Sequence, residues 1–159
     1  MSNRRVAREY VMQALYAFEL GSGDAQHVIN TILKPNLSDE AAALDFGTSL
    51  FLRTLDGTKE SDTIISDHTR NWELSRIALI DRLLLRMGIC EMLTFEDIPP
   101  KVSINEAIEV AKKYSTSKSG KFINGILDAV LMRFQREGRL KKSGRGLIGM
   151  DTIQARTTG

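Results

Sequence analysis

Apolar residues recur at intervals of three and four along almost the whole chain, and this period constrains the fold more than any other feature. In the first segment, about residues 4–20, one apolar face comprises Ala7, Val11, Ala14, Leu15 and Phe18. This spacing is that of an amphipathic α-helix. No alternating apolar and polar run is long enough to predict a strand. We therefore expect an all-α protein, a compact bundle of about seven helices.

The fifth predicted helix, about Leu74 to Leu93, is apolar over most of its circumference. Four charged residues interrupt it, namely Asp81, Arg82, Arg86 and Glu91. A membrane span needs about 20 residues with few charges, so this segment is better explained as a helix in the middle of a bundle. Gly88 within it is expected to mark a close helix crossing.

Two local signals set the boundaries near the C-terminus. Residues 103–106 read Ser-Ile-Asn-Glu, a capping box that predicts a helix start, and Gly138 ends the last predicted helix. Residues 139–159 are rich in glycine, serine, threonine and basic residues and show no period. We therefore predict a helical domain over residues 1–138 and a flexible basic tail over residues 139–159.

Composition and motifs narrow the function classes. The single cysteine, Cys90, and the absence of an apolar signal segment indicate a reducing compartment, so we expect a cytoplasmic protein. The sequence has no phosphate-binding loop, no GxSxG and no HExxH, and its two histidines offer no metal-ligand spacing. We accordingly expect no enzyme activity, no cofactor and no metal.

Basic side chains are placed where helix stability alone does not favour them. Arg4, Arg5 and Arg8 lie at the start of the first helix, and Lys118 and Lys121 flank the start of the last one. Cations oppose the helix dipole at these ends, whereas a phosphate would be attracted to both the cations and the dipole. The alternative is that both sets are ordinary solvated ends.

Two further residues carry alternative interpretations. Phe122, next to Lys121, is either a core residue or a platform on which an RNA base stacks. Arg86 on the apolar fifth helix either faces a ligand or pairs with an acid such as Asp81 or Glu91, because an unpaired buried charge is costly.

Three short motifs occur in order along the chain. They are Arg4-Arg5-x-Ala7-Arg8-Glu9 followed by Gln13-Ala14-Leu15-Tyr16, then Ile104-Asn105-Glu106-Ala107-Ile108-Glu109-x-Ala111-Lys112, and finally Lys121-Phe122-Ile123-Asn124-Gly125-Ile126-Leu127-Asp128. Together they resemble the NusB family of bacterial transcription antitermination factors, over about residues 4–136. Here the N-terminal basic segment is leaner than in some members, and the tail is longer than a minimal member needs.

This resemblance implies a fold of about seven helices in two packed helical subdomains. It also implies an RNA-binding antitermination factor that binds boxA-type single-stranded RNA together with NusE, a small-subunit ribosomal protein. A protein of this kind would act within the RNA polymerase antitermination complex, notably on ribosomal RNA operons. Some members self-associate, and the sequence leaves monomer and dimer open.

The resemblance also assigns residues to roles. The implied RNA-binding residues are Arg4, Arg5, Arg8, Gln13, Arg86, Lys118, Lys121, Phe122 and Asn124. The implied partner-binding residues are Tyr16 and Asp81. We expect the positive side chains from the two ends of the chain to converge into one patch.

Two other functions stay open at this point. NusB-like domains also precede the catalytic domain of some ribosomal RNA cytosine methyltransferases, so one alternative is a substrate-recognition module of a modification system. The other alternative is a helical adaptor between proteins.

Overall fold

The computed structural model describes residues 3–21, 23–69 and 74–158, and in these ranges the secondary structure is helical without strands. The α-helices in chain order are α1 (Asn3–Glu19), α2 (Ala25–Val28), α3 (Lys34–Leu37), α4 (Ala41–Asp56), α5 (Thr58–Asp67), α6 (Leu79–Thr94), α7 (Pro100–Tyr114), α8 (Ser117–Arg136) and α9 (Met150–Thr158). A π-helical turn, Ile29–Leu33, joins α2 to α3, and short 3₁₀ turns occupy Leu74–Arg76 and Gly144–Leu147. The all-α prediction is confirmed.

The chain divides into two compact helical units, the first ending at Thr58 and the second beginning at Lys59. In the first unit α1 packs against α4. The apolar stripe predicted for α1 forms its buried face, since Ala7, Val11 and Leu15 are all buried. Each unit thus has its own apolar interior.

In the sequence, Pro35 predicts that one helix stops before it, and Ser38 predicts that the next helix opens there. The structure differs from this prediction. The helical path instead continues through the π turn and past Pro35, which lies in the first turn of α3. In a continuous helical path the missing amide hydrogen of Pro35 costs one helical hydrogen bond, and the π turn directly before it is where the backbone hydrogen-bond pattern changes. The following helix, α4, then begins at Ala41.

Helix α6 forms the centre of the second unit and packs against α7 and α8. Eleven of its residues are buried, as predicted from its apolar circumference. A Cβ atom at Gly88 would lie 2.8 Å from Cδ1 of Leu127 on α8. Gly88 therefore permits a close crossing of α6 and α8, as the sequence predicted.

The predicted capping box at Ser103 is wrong. Helix α7 begins at Pro100, so Ser103 lies inside it rather than at its N-cap. The Ser103 hydroxyl donates to Oε1 of Glu91 at 2.9 Å, and both residues are buried. A proline in the first turn is the boundary signal that is realised here.

The segment after Arg139 folds against the second unit, in place of the flexible tail that composition predicted. Nζ of Lys142 donates to the carbonyl oxygens of Glu91 and Phe95, at 3.1 and 2.7 Å. Ile153 of α9 is fully buried, and Arg156 pairs with Asp128 of α8. Isolated anchors of this kind leave no periodic pattern in a sequence.

None of the helices in the described ranges combines the length and apolar character that crossing a membrane requires.

Candidate nucleic-acid interface

The first cationic set lies at the start of α1, in the first unit. Arg4 and Arg5 are exposed, and the guanidinium of Arg4 lies 4.6 Å from the ring centroid of Phe46 on α4. This cation–π contact fixes the position of the side chain on the surface. Both arginines can therefore meet an anionic ligand from the solvent side.

Arg8 belongs to the same turn but is only 3% exposed. Its guanidinium lies 5.1 Å from the centroid of the Phe46 ring. Arg8 therefore has little exposed surface in this structure, and its predicted RNA contact stays a prediction. The sequence placed it among surface arginines because its spacing from Arg4 and Arg5 does not reveal how far α4 covers α1.

The C-terminal half of α1 carries the predicted partner residue. Tyr16 is 39% exposed, and Leu20, one turn further on, is more exposed still. Residues four apart share a face of a helix, so this pair forms an apolar strip. Sequence reasoning named Leu20 only as the end of the first helix and assigned it no role in the site. Gln13, on the same helix, is half-buried.

The second cationic set lies in the first turns of α8, in the second unit. Lys118, Lys121 and Asn124 are exposed, whereas Phe122 is half-buried. Thr116 caps the helix, its hydroxyl oxygen accepting from the Ser119 amide at 3.3 Å. A half-buried ring has one part in the protein and another facing solvent, so both interpretations of Phe122 stay open.

Asp81, the other predicted partner residue, lies in the first turn of α6 and is only 7% exposed. Its carboxylate accepts hydrogen bonds from the hydroxyls of Ser119 at 3.0 Å and Ser115 at 3.5 Å. Burial raises the pKa of Asp81, and the two serine hydrogen bonds act in the opposite direction. Asp81 thus faces the junction between α7 and α8, and its predicted partner contact stays a prediction.

Arg86 forms a bidentate ion pair with Asp62 of α5, with nitrogen–oxygen distances of 2.7 and 2.8 Å. The arginine is 7% exposed, and its predicted RNA contact stays a prediction. Its partner Asp62 is not one of the two acids that the sequence suggested. Asp62 lies 24 residues earlier in the chain, beyond the reach of a local pattern.

Asp128 of α8 lies between two cations that sequence reasoning did not assign to the site. Arg156 donates to its two carboxylate oxygens at 3.0 and 2.9 Å, and Nζ of Lys101 lies 3.4 Å from Oδ1. The Arg156 hydrogen bonds hold the pKa of Asp128 below its usual value, with a further contribution from Lys101. The carboxylate is therefore charged and compensated.

A search for metal sites in the described residues finds no cluster of three or more histidine, cysteine, aspartate or glutamate side chains placed to hold an ion.

Comparison with known proteins decides the family. The model of the NusB family matches residues 5–132 of this chain. The chain belongs to the NusB family. A relative from Salinibacter ruber, named Transcription antitermination protein NusB, is 53% identical over 156 residues, which is 98% of each chain. The resemblance predicted from the three motifs is confirmed.

Solved NusB structures share the fold. NusB of T. maritima is 34% identical and superposes with a TM-score of 0.74, covering 82% of this chain and 91% of its own. A chain from a crystal structure of antitermination factors NusB and NusE in complex with dsRNA is 25% identical, with a TM-score of 0.74, covering 82% of this chain and 96% of its own.

Proposed function

We propose that this NusB family member is an RNA-binding transcription antitermination factor that acts with NusE on boxA-type RNA, notably in ribosomal RNA operons. The observation that carries this proposal is the match along nearly the whole chain to a relative named as an antitermination protein. A structural neighbour comes from a crystal structure of NusB and NusE in complex with dsRNA. This neighbour supports the proposal that the protein binds both RNA and NusE. The protein would act in the cytoplasm, within the RNA polymerase antitermination complex.

The exposed basic residues of the two helix starts supply the RNA contacts in this proposal. Arg4 and Arg5 of α1 and Lys118 and Lys121 of α8 neutralise phosphates. Asn124 presents an amide, which can both donate to and accept from a base edge, and Phe122 offers a ring face for stacking. Phosphate contacts position the strand, and contacts with bases supply sequence preference.

The partner surface is proposed to lie on α1. Tyr16 and Leu20 are large, exposed and one turn apart. Aromatic residues are enriched at protein interfaces because they bury a large apolar area and keep a polar tip for the solvent. The protein would therefore act by recruitment, holding RNA and NusE together, and would need no catalytic group.

A binding assay tests this function. Affinity for a boxA-like single-stranded RNA and for a scrambled RNA is measured with and without NusE. We expect preference for the boxA-like RNA and tighter binding in the presence of NusE. Equal, weak binding of both RNAs with NusE present would reject the proposal and favour an adaptor that does not bind RNA specifically.

A further inference from the structure

A buried carboxylate surrounded by hydroxyl groups lies beneath the start of α8. Asp81 accepts from Ser119 and from Ser115, and the two serine oxygens are themselves 2.7 Å apart. Among the residues that the structure describes, no cation forms a salt bridge with Asp81. The charge is thus balanced by hydroxyl donors and by its place in the first turn of α6, where the helix dipole favours an anion.

The two serines mark the two sides of the junction between α7 and α8. Ser115 is the C-cap of α7, and Ser119 lies in the first turn of α8. Thr116, between them, caps α8 through the Ser119 amide. A single carboxylate on α6 therefore ties the end of one helix and the beginning of the next to the central helix.

Two of the proposed RNA-binding residues lie next to the serine that Asp81 holds in α8. Lys118 precedes Ser119, Lys121 follows it by two positions, and both lysines are exposed while Ser119 is buried. Whatever sets the orientation of the first turn of α8 also sets where these two cations point. Binding depends on such placement because charged side chains must reach phosphates that the RNA strand holds at fixed spacings.

Burial of an acid is unfavourable on its own account. The pKa of Asp81 is raised chiefly by burial, which means that the surroundings penalise the charged form. The carboxylate does, however, supply two acceptor oxygens, so it can hold Ser115 and Ser119 at the same time.

We propose that Asp81, acting through Ser115 and Ser119, is a positioning residue for RNA binding that holds the first turn of α8 so that Lys118 and Lys121 face the RNA. This inference rests on the proposed RNA-binding function. In this role Asp81 acts from a buried position through the two serines, whereas the family resemblance implied a direct partner contact.

Three variants test the proposal, Asp81→Ala, Asp81→Asn and the double variant Ser115→Ala/Ser119→Ala. Affinity for boxA-like RNA is measured at several salt concentrations, at a temperature where circular dichroism shows each variant to be folded. We expect Asp81→Ala and the double variant to bind boxA-like RNA about tenfold more weakly than wild type. The slope of log K against log salt should be smaller in magnitude by about 1.4, because each of the two lysines contributes about 0.7. Asp81→Asn should stay near wild type, because its amide oxygen still accepts from Ser119 and its NH2 group can donate to the hydroxyl oxygen of Ser115.

Ser103→Ala is the matched control. It removes another buried serine–carboxylate hydrogen bond of the second unit, 2.9 Å long, away from the start of α8. It should lower the stability without changing affinity or salt slope. Wild-type affinity and slope in folded Asp81→Ala would overturn the proposal, as would a loss of affinity in Ser103→Ala equal to that in Asp81→Ala.

Hydrogen exchange separates this inference from the proposed function, because it needs no RNA. In Asp81→Ala the amides of the first turns of α8 should exchange faster than in wild type, whereas in Ser103→Ala they should not. Unchanged exchange at residues 118–122 overturns the positioning role. If the wild-type protein does not prefer boxA-like RNA over scrambled RNA, the proposed function is rejected. The hydrogen-exchange result by itself then decides whether Asp81 positions the first turn of α8. Should Asp81→Ala fail to fold, Ser119→Ala takes its place in both measurements.

Discussion

At the scale of single residues, the guanidinium groups of Arg8 and Arg86 are buried among partners from other helices. Arg86 is held by Asp62, and Arg8 lies over the ring of Phe46. A guanidinium keeps its charge at every physiological pH, so burying it requires an anion or an aromatic face. Both partners come from other helices of the same unit.

Arg86→Ala should destabilise the second unit by about 3 kcal/mol, because it leaves the partly buried Asp62 without its cation. Urea unfolding monitored by circular dichroism measures this. Arg133→Ala is the control, since Arg133 pairs with Asp67 and Glu137 at the surface and should contribute less than about 1 kcal/mol. Equal losses in the two variants would contradict the expected importance of burial.

Arg5→Glu should weaken binding of boxA-like RNA about tenfold, because it removes one phosphate contact and adds a repulsive charge. Stability should change little, since Arg5 is exposed. Lys34→Glu makes the same change of charge at an exposed position of α3 and serves as the control. If both variants bind RNA equally well, Arg5 is not part of the interface.

At the scale of helices, glycine positions report where two helices approach closely. Gly88→Ala should destabilise the protein by about 1–3 kcal/mol, because the new methyl group would meet Leu127 at 2.8 Å. Gly125→Ala is the matched control on α8, where an added Cβ has no neighbour within 4 Å. The control should be stabilising by about 0.5–1 kcal/mol, as alanine is favoured over glycine inside a helix. Thermal unfolding distinguishes the two, and a neutral Gly88→Ala would argue against the close crossing.

The C-terminal segment, through Lys142, makes a pH-dependent contribution to the free energy of unfolding. Burial lowers the pKa of Lys142 to about 8, although Glu91, Asp97 and Glu96 act in the opposite direction. Because the ordinary value is 10.5, the unfolded chain binds more protons than the folded one between about pH 8 and 10.5. The stability of wild type relative to Lys142→Met should therefore rise with pH across this window. A flat difference between their unfolding free energies would show that Lys142 is solvated.

The helix boundaries and buried helix faces show which features the local sequence predicts correctly. The apolar stripe of α1 and the buried circumference of α6 are periodic, and both were predicted correctly. The start of α7 was misplaced because Pro100 and the Ser103–Glu106 pattern are both valid start signals, and only packing of Ser103 against Glu91 decides between them. Helix α9 was missed because its anchors are isolated residues without a period.

At the scale of the whole molecule, each of the two units carries one exposed cationic set to which the proposed function assigns phosphate contacts. If all four cations contact phosphate, log K should fall with log salt at a slope of about −3. Replacing Arg4 and Arg5 with alanine, or Lys118 and Lys121 with alanine, should each reduce the magnitude of that slope by about 1.4. A slope changed by only one of the two pairs would show that a single unit binds the RNA.

Sequence alone determined the helical class, the family and the exposed cations at the starts of α1 and α8, because helical period and short motifs are local properties. Only the tertiary structure decided the partners of Arg86 and Asp81, which lie 24 and 34 to 38 residues away along the chain. A buried charge takes whichever partner the fold brings to it, and the desolvation penalty then selects that contact whatever the spacing in sequence.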